Sequence, residues 1–166
     1  VLSILVPAHA PVAARSVAAA LEATGAGTPF ADCNAIAPAT VRGMAPEIER
    51  AGGSFIDAGI IGGALRAGYA PRFYASGPDA HILGELDGRG ITVVPIGAEI
   101  GRASAVKMCY AAGTKGTMAL QTALLVAAER LGVFEELRGE LLQSQAATYS
   151  RAAASTSRLS KVAGRF

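Results

Sequence analysis

At 166 residues the chain is long enough for one domain of ordinary size, or for one domain and part of a second. Half of the residues are hydrophobic, many of them alanine, and 17% are charged, which excludes a disordered chain and favours closely packed helices. A net charge of +2 gives no electrostatic case for nucleic acid, and no apolar run approaches the ~18 residues of a membrane span. The charge is unevenly placed: Arg151, Arg158, Lys161 and Arg165 occupy residues 151–166 with no acid among them, so the rest of the chain sums to −2. That tail reads as a solvated helix face. Cys33 and Cys109 form no C-x-x-C pair and are expected to be reduced, buried thiols; His9 and His81 have no ligand spacing around them and read as surface or loop residues, so no metal site is expected. With no signal peptide at the start, the expected location is the cytoplasm.

The opening run Val1–Val6 is nearly all apolar, the mark of a short strand buried on both faces. Pro7 ends it, and a helix is predicted over Ala13–Ala26 with Gly25 or Gly27 as its stop. Pro29–Cys33 reads as a second strand, and Pro38 introduces a helix over Thr40–Ala51 that stops at Gly52-Gly53. Ser54–Ile56 is a third strand, running into Asp57 and a loop over Ala58–Ala70. Arg72–Ala75 is a fourth strand, Asp79–Leu86 a helix, and Ile91–Pro95 a fifth strand. Strands alternating with helices predict a parallel sheet covered on both faces. Beyond Pro95 the pattern is helical: about Gly101 to Leu131 without proline, then Phe134–Gln143 with Glu135 and Glu136 in its first turn. The expected organisation is an α/β domain over 1–98 and a helical domain over 99–166.

Three stretches carry polar or glycine-rich chemistry near the expected strand ends, where α/β sheets bind ligands. Asp32-Cys33-Asn34-Ala35 offers an amide to a ribose or carboxamide, or alternatively an Asx turn. Asp57-Ala58-Gly59-Ile60-Ile61-Gly62-Gly63 pairs two glycines whose N–H groups can turn toward an anion, or else forms a flexible surface loop. Gly101 to Lys107 opens the long helix, on which Lys107, Tyr110, Ala111 and Thr114 share a face. Among Ala103, Val106 and Met108 the Lys107 ammonium is expected to be disfavoured and to serve proton transfer, unless it snorkels to solvent.

In order and spacing, Val6-Pro7, Asp32-Cys33-Asn34-Ala35, Asp57-Ala58-Gly59-Ile60-Ile61-Gly62-Gly63 and Gly101-Arg102-Ala103 with Lys107 resemble the β-hydroxyacid dehydrogenases, which include 3-hydroxyisobutyrate and 6-phosphogluconate dehydrogenases and have imine reductases as relatives. The resemblance covers roughly residues 1–145. It implies the second half of a Rossmann-like parallel sheet, a long interdomain helix and the start of an all-α domain. It further implies an NAD or NADP cofactor beside Val6, Pro7, Asn34 and Ala35, and a substrate anion on Gly62 and Gly63. Lys107 then matches the family's general acid/base for hydride transfer; on the same helix face, Tyr110 is read as sharing the proton or orienting a carbonyl, and Thr114 as lining the pocket. Ile61 stands where the family has a serine, Ala111 where it has an asparagine, and Ala103 where it has a second glycine. An Ile60-Ile61 wall therefore points to a less polar substrate.

The implied activity is NAD(P)-dependent oxidation or reduction of a small hydroxyacid, carbonyl or imine, in a homodimer formed through the helical domain. The sequence holds no G-x-G-x-x-G turn, whose backbone donors bind much of a dinucleotide's pyrophosphate, so weak cofactor binding is expected of these residues alone. The alternative is a catalytically inactive truncated paralogue or a dimerisation module.

Overall fold

The computed structural model describes residues 1–156. Two compact units divide the chain, Val1–Tyr110 and Ala111–Phe166.

The first unit holds a five-stranded sheet in the order β1-β2-β3-β4-β5: β1 Leu2–Ser3, β2 Pro29–Asp32, β3 Ser54–Ile61, β4 Arg72–Ser76 and β5 Thr92–Pro95. Strands β1, β2 and β3 are parallel, while β4 runs antiparallel to β3 and parallel to β5. The expected all-parallel sheet is thus corrected to a mostly parallel one. The reason lies in the connection. Parallel neighbours need a crossover of a dozen or more residues, usually with a helix, whereas the segment between β3 and β4 is short and helix-free, so the chain doubles back.

Strand β1 is shorter than its apolar run suggested. The ladder ends at Ser3, and the Leu5 N–H is taken by the Asn34 side chain at 2.7 Å instead of by a neighbouring strand. Strand β3 is longer, because Ala58-Gly59-Ile60-Ile61, expected to be loop, pairs with β4 throughout.

Helices α1 (Ala10–Thr24) and α2 (Pro38–Arg50) cover one sheet face, with Val41, Met44 and Ile48 packed on Phe30 and Phe55. Pro11 in the first turn lets α1 begin three residues before the expected start, and Gly25, left-handed at φ 66°, closes it with an N–H bond to the Leu21 carbonyl. The short α3 (Ala80–Gly84) covers the other face over Ile56, Ala58, Phe73, Ala75 and Val93. Cys33 is buried there, whereas Cys109 is exposed, contrary to the expectation of two buried thiols; both are free.

Helix α4 (Arg102–Leu131) starts in the first unit and ends in the second, where Gly132 at φ 70° stops it. Within the second unit α5 (Phe134–Ser144), with Glu135 and Glu136 in its first turn, packs on α6 (Ala146–Thr156). Arg151 is exposed on α6; Arg158, Lys161 and Arg165 of the basic tail lie outside the described residues. No helix among the described residues is long and apolar enough to cross a membrane.

Candidate functional site

Side chains alternate along a strand, so β3 sends Ile56, Ala58 and Ile60 to the α3 face and Asp57, Gly59 and Ile61 to the opposite one. The chain seats the first turns of α4 on that second row. Asp57 is fully buried and accepts four hydrogen bonds. Its Oδ2 takes the Gly101 N–H (2.9 Å), the Ser104 N–H (3.1 Å) and the Ser76 hydroxyl (3.0 Å); its Oδ1 takes the Ser104 hydroxyl (2.6 Å). Ser76 Oγ in turn accepts the Ala103 N–H at 3.0 Å. Three backbone donors at the start of α4, which would otherwise lack partners, are satisfied by one carboxylate and one hydroxyl from adjacent strands. A carboxylate there also complements the positive end of the helix.

Two residues further along β3, Gly59 makes the close approach possible. A Cβ at this position would lie 2.8 Å from the Ala103 carbonyl oxygen and 3.0 Å from Lys107 Cβ. With α4 held down at both Asp57 and Gly59, Lys107 in its second turn reaches back over the strand, and Nζ donates to the Ile60 carbonyl at 2.6 Å. The two isoleucines expected to form one wall point to opposite faces: Ile61 is 3% exposed, and Ile60 packs on the α3-side core.

Gly62 and Gly63 begin the β3–β4 loop. Gly62 has φ 127°, and a Cβ there would meet the Tyr69 hydroxyl at 2.1 Å. That hydroxyl accepts the Gly63 N–H at 3.1 Å, so one of the two expected anion donors has a phenol oxygen against it. Tyr69 was not among the sequence candidates. A tyrosine in a loop carries no spacing signal, and only the fold brings it back onto the glycines.

The carboxyl ends of β1 and β2 are tied by Asn34. Its amide donates to Ser3 Oγ (2.9 Å) and Asp32 Oδ1 (2.6 Å), and its carbonyl accepts the Leu5 N–H. Asp32 Oδ2 accepts the Asn34 N–H at 3.4 Å, which is the Asx turn. Burial holds the Asp32 carboxyl above the usual carboxylate range, with the neighbouring Asp57 adding to it and the Asn34 bonds opposing it. Burial likewise pushes the Cys33 thiol up to about 12, helped by Asp32 and Asp57. The buried Asn34 is thus a brace, while Val6, 62% exposed, and the exposed Pro7 and Ala35 form the free rims of the two strand ends. Tyr110 is 49% exposed at the end of the first unit. Ala111 and Thr114 belong to the second unit, where the Thr114 hydroxyl donates to the Ala111 carbonyl at 3.2 Å.

Residues 1–83, half of the chain, match the family described as the NAD binding domain of 6-phosphogluconate dehydrogenase. The chain belongs to that family. The family binds NAD(P). No curated protein matches the chain in sequence. Among solved structures, the conserved protein MTH1747, of unknown function and structurally similar to 3-hydroxyacid dehydrogenases, is 32% identical over 99% of this chain, with a TM-score of 0.73. The 3-hydroxyisobutyrate dehydrogenase of Mycobacterium tuberculosis, solved with L-serine, is 20% identical over 87% with a TM-score of 0.63. An imine reductase of Streptomyces aurantiacus is 16% identical over 99% with a TM-score of 0.65. The last two are likenesses of fold. The chain spans 63%, 50% and 56% of these three proteins respectively.

Proposed function

We propose that this chain is part of an NAD(P)-dependent oxidoreductase of the β-hydroxyacid dehydrogenase type, moving hydride between nicotinamide and a small hydroxyacid, carbonyl or imine. The reading takes residues 1–98 as the second half of a Rossmann-like domain and residues 99–166 as an interdomain helix with the start of a helical substrate domain. The observation that carries it is the placement of Lys107. Its ammonium is held at the Ile60 carbonyl, three residues from Gly63, by a helix whose N-terminus is fixed on Asp57 and Gly59. An ammonium aimed by a rigid shell rather than left to solvent is what general acid/base chemistry requires.

Val6, Pro7 and Ala35 would hold one side of the dinucleotide. They fit this role because they are exposed at the carboxyl ends of parallel strands, on loops that Asn34 keeps in register, and ligands of α/β sheets bind outside those ends. When bound, the cofactor supplies the hydride donor or acceptor. The protein's own part is to move a proton at the substrate oxygen or nitrogen through Lys107 Nζ, with Tyr110 as a second donor. Gly62 and Gly63 would anchor the rest of the substrate. Leu120, Leu124 and Leu131 are exposed on α4 in the second unit, and they support pairing with another copy of the chain as a homodimer.

Lys107→Ala in the full-length protein tests the reading. Turnover with NAD(P) should fall ~10²–10⁴-fold if Lys107 is the acid/base. A loss below about threefold would remove it from that role. Comparing it with Tyr110→Phe on alcohol and imine substrates separates a dehydrogenase, damaged most by the first change, from an imine reductase, damaged most by the second.

A further inference from the structure

The register of the sheet places Ser3 opposite Asp32, Asp32 opposite Asp57 and Asp57 opposite Ser76. Residues paired in register point to the same side of a sheet. One polar residue from each of four adjacent strands therefore stands in a straight row, on the face that packs against α1 and α2. None of the four is more than 4% exposed. With Asn34 and Ser104, which bond to it, the row holds every buried polar or charged side chain among the described residues.

An apolar interior tolerates such a row only where its charges and donors match. Asp32 and Asp57 stand on neighbouring strands, about 4.8 Å apart, and two like charges at that spacing disfavour each other. The donors decide which carboxyl is ionised. Asp57 takes the Gly101 and Ser104 N–H groups and the Ser76 and Ser104 hydroxyls. Asp32 is met by Asn34 and by the Ser3 hydroxyl, and Asp57 is the one charged group that bears on it. Helices α1 and α2 bury only apolar residues, the Cys33 thiol lies on the opposite face, and α4 brings its Lys107 ammonium to the Ile60 carbonyl. The charge settles on Asp57 and the proton on Asp32.

We propose that Asp32 is a positioning residue for Lys107: by staying neutral it leaves the row one negative charge, on Asp57, and that charge holds the first turn of α4 on the sheet. Ionising Asp32 sets a second carboxylate beside the first. The repulsion then acts on the bonds from Gly101 and Ser104, which seat the helix that carries Lys107. The assignment rests on the dehydrogenase reading for what Lys107 does, but the state of the row is read without turnover.

The test is an NMR titration of the full-length protein from about pH 4 to about pH 9, following the aspartate carboxyl carbons and the backbone amides. At about pH 5, where a free aspartate is ionised, Asp32 should still carry its proton and Asp57 should not. As Asp32 ionises, the Gly101 and Ser104 amide signals should move in step with it. In Asp32→Asn, which is neutral throughout, they should stay in place. An Asp32 already ionised at about pH 5, a proton found on Asp57 instead, or α4 amides that behave alike in both proteins would overturn the proposal. Through the same window, kcat of the parent with NAD(P) should fall at least about fivefold while KM holds, and the variant should lack that fall. A flat kcat beside a titrating Asp32 would overturn the positioning role. A protein whose row and α4 amides titrate as described but which turns over no substrate with NAD(P) overturns the dehydrogenase reading and leaves the seat of Lys107 as assigned.

Discussion

Asp32 and Asp57 are register partners on adjacent parallel strands, both fully buried on the same face of the sheet. Their surroundings separate them. Asp57 receives four donors from three residues on two segments, two of them backbone N–H groups at the start of a 30-residue helix. Asp32 is held by side chains and one loop amide: Asn34 donates once from its amide and once, at 3.4 Å, from its backbone, and the Ser3 hydroxyl also bears on it. One carboxylate joins β3, β4 and α4 and so fixes where Lys107 stands; the other braces the loop next to it. The same residue type at the same depth becomes a long-range anchor or a local turn according to which N–H groups the topology delivers to it.

The comparison predicts unequal costs. Asp57→Ala would leave two helix N–H groups and two hydroxyls short of an acceptor in the interior. The loss of unfolding free energy in urea should be about 3–5 kcal/mol, near the cost of breaking a buried charged network. Asp32→Ala should cost about 1–3 kcal/mol, since Asn34 keeps Ser3 and Leu5 as partners. Equal losses for the two would mean that the α4 network carries no more than the loop does.

Much of this fold was legible in the sequence. The breaks at Pro7, Pro29, Pro38 and Pro95, and the glycines at Gly52-Gly53 and Gly132, marked strand β2, strand β5 and helices α2, α4 and α5 to within a residue or two. What misled was Gly59. A glycine three residues before a glycine pair reads as loop, but here it is the place where a helix touches a strand. The signal that could have found the anchor was present: Asp57 lies between Ile56 and Ala58 in an apolar strand, and a buried acid needs donors, which Ser76 and Ser104 supply. Lys107 could be singled out because its spacing from Gly101 is local. Tyr69 could not, because its relation to Gly62 and Gly63 depends on a turn of the backbone rather than on a period.

Gly59→Ala sharpens the comparison without touching either aspartate. The added methyl would meet the Ala103 backbone carbonyl, which cannot give way as a side-chain end could, so α4 must lift from β3. A destabilisation of about 1–3 kcal/mol is expected, the range for overpacking a close contact. If α4 positions the acid/base, kcat should fall more than KM rises. A variant whose stability and kcat both match the parent would show that the helix can shift without consequence.

The smallest effect concerns pH. Burial raises the folded-state pKa of Asp32, so above about pH 4, where an aspartate of the unfolded chain has already ionised, the native state still holds the proton. The folded protein then binds more protons than the unfolded one, and stability must fall as pH rises, until the folded carboxyl has also ionised. The slope from this one group cannot exceed about 1.4 kcal/mol per pH unit. In Asp32→Asn the slope should vanish over that window, while the bond to the Asn34 side chain can be kept by the new carbonyl and only the weak 3.4 Å contact is lost. Urea unfolding of Asp32→Asn beside the parent at several pH values from 4 to 7 would show this change of slope. Parallel profiles for the two proteins would refute a carboxyl that burial keeps protonated at Asp32.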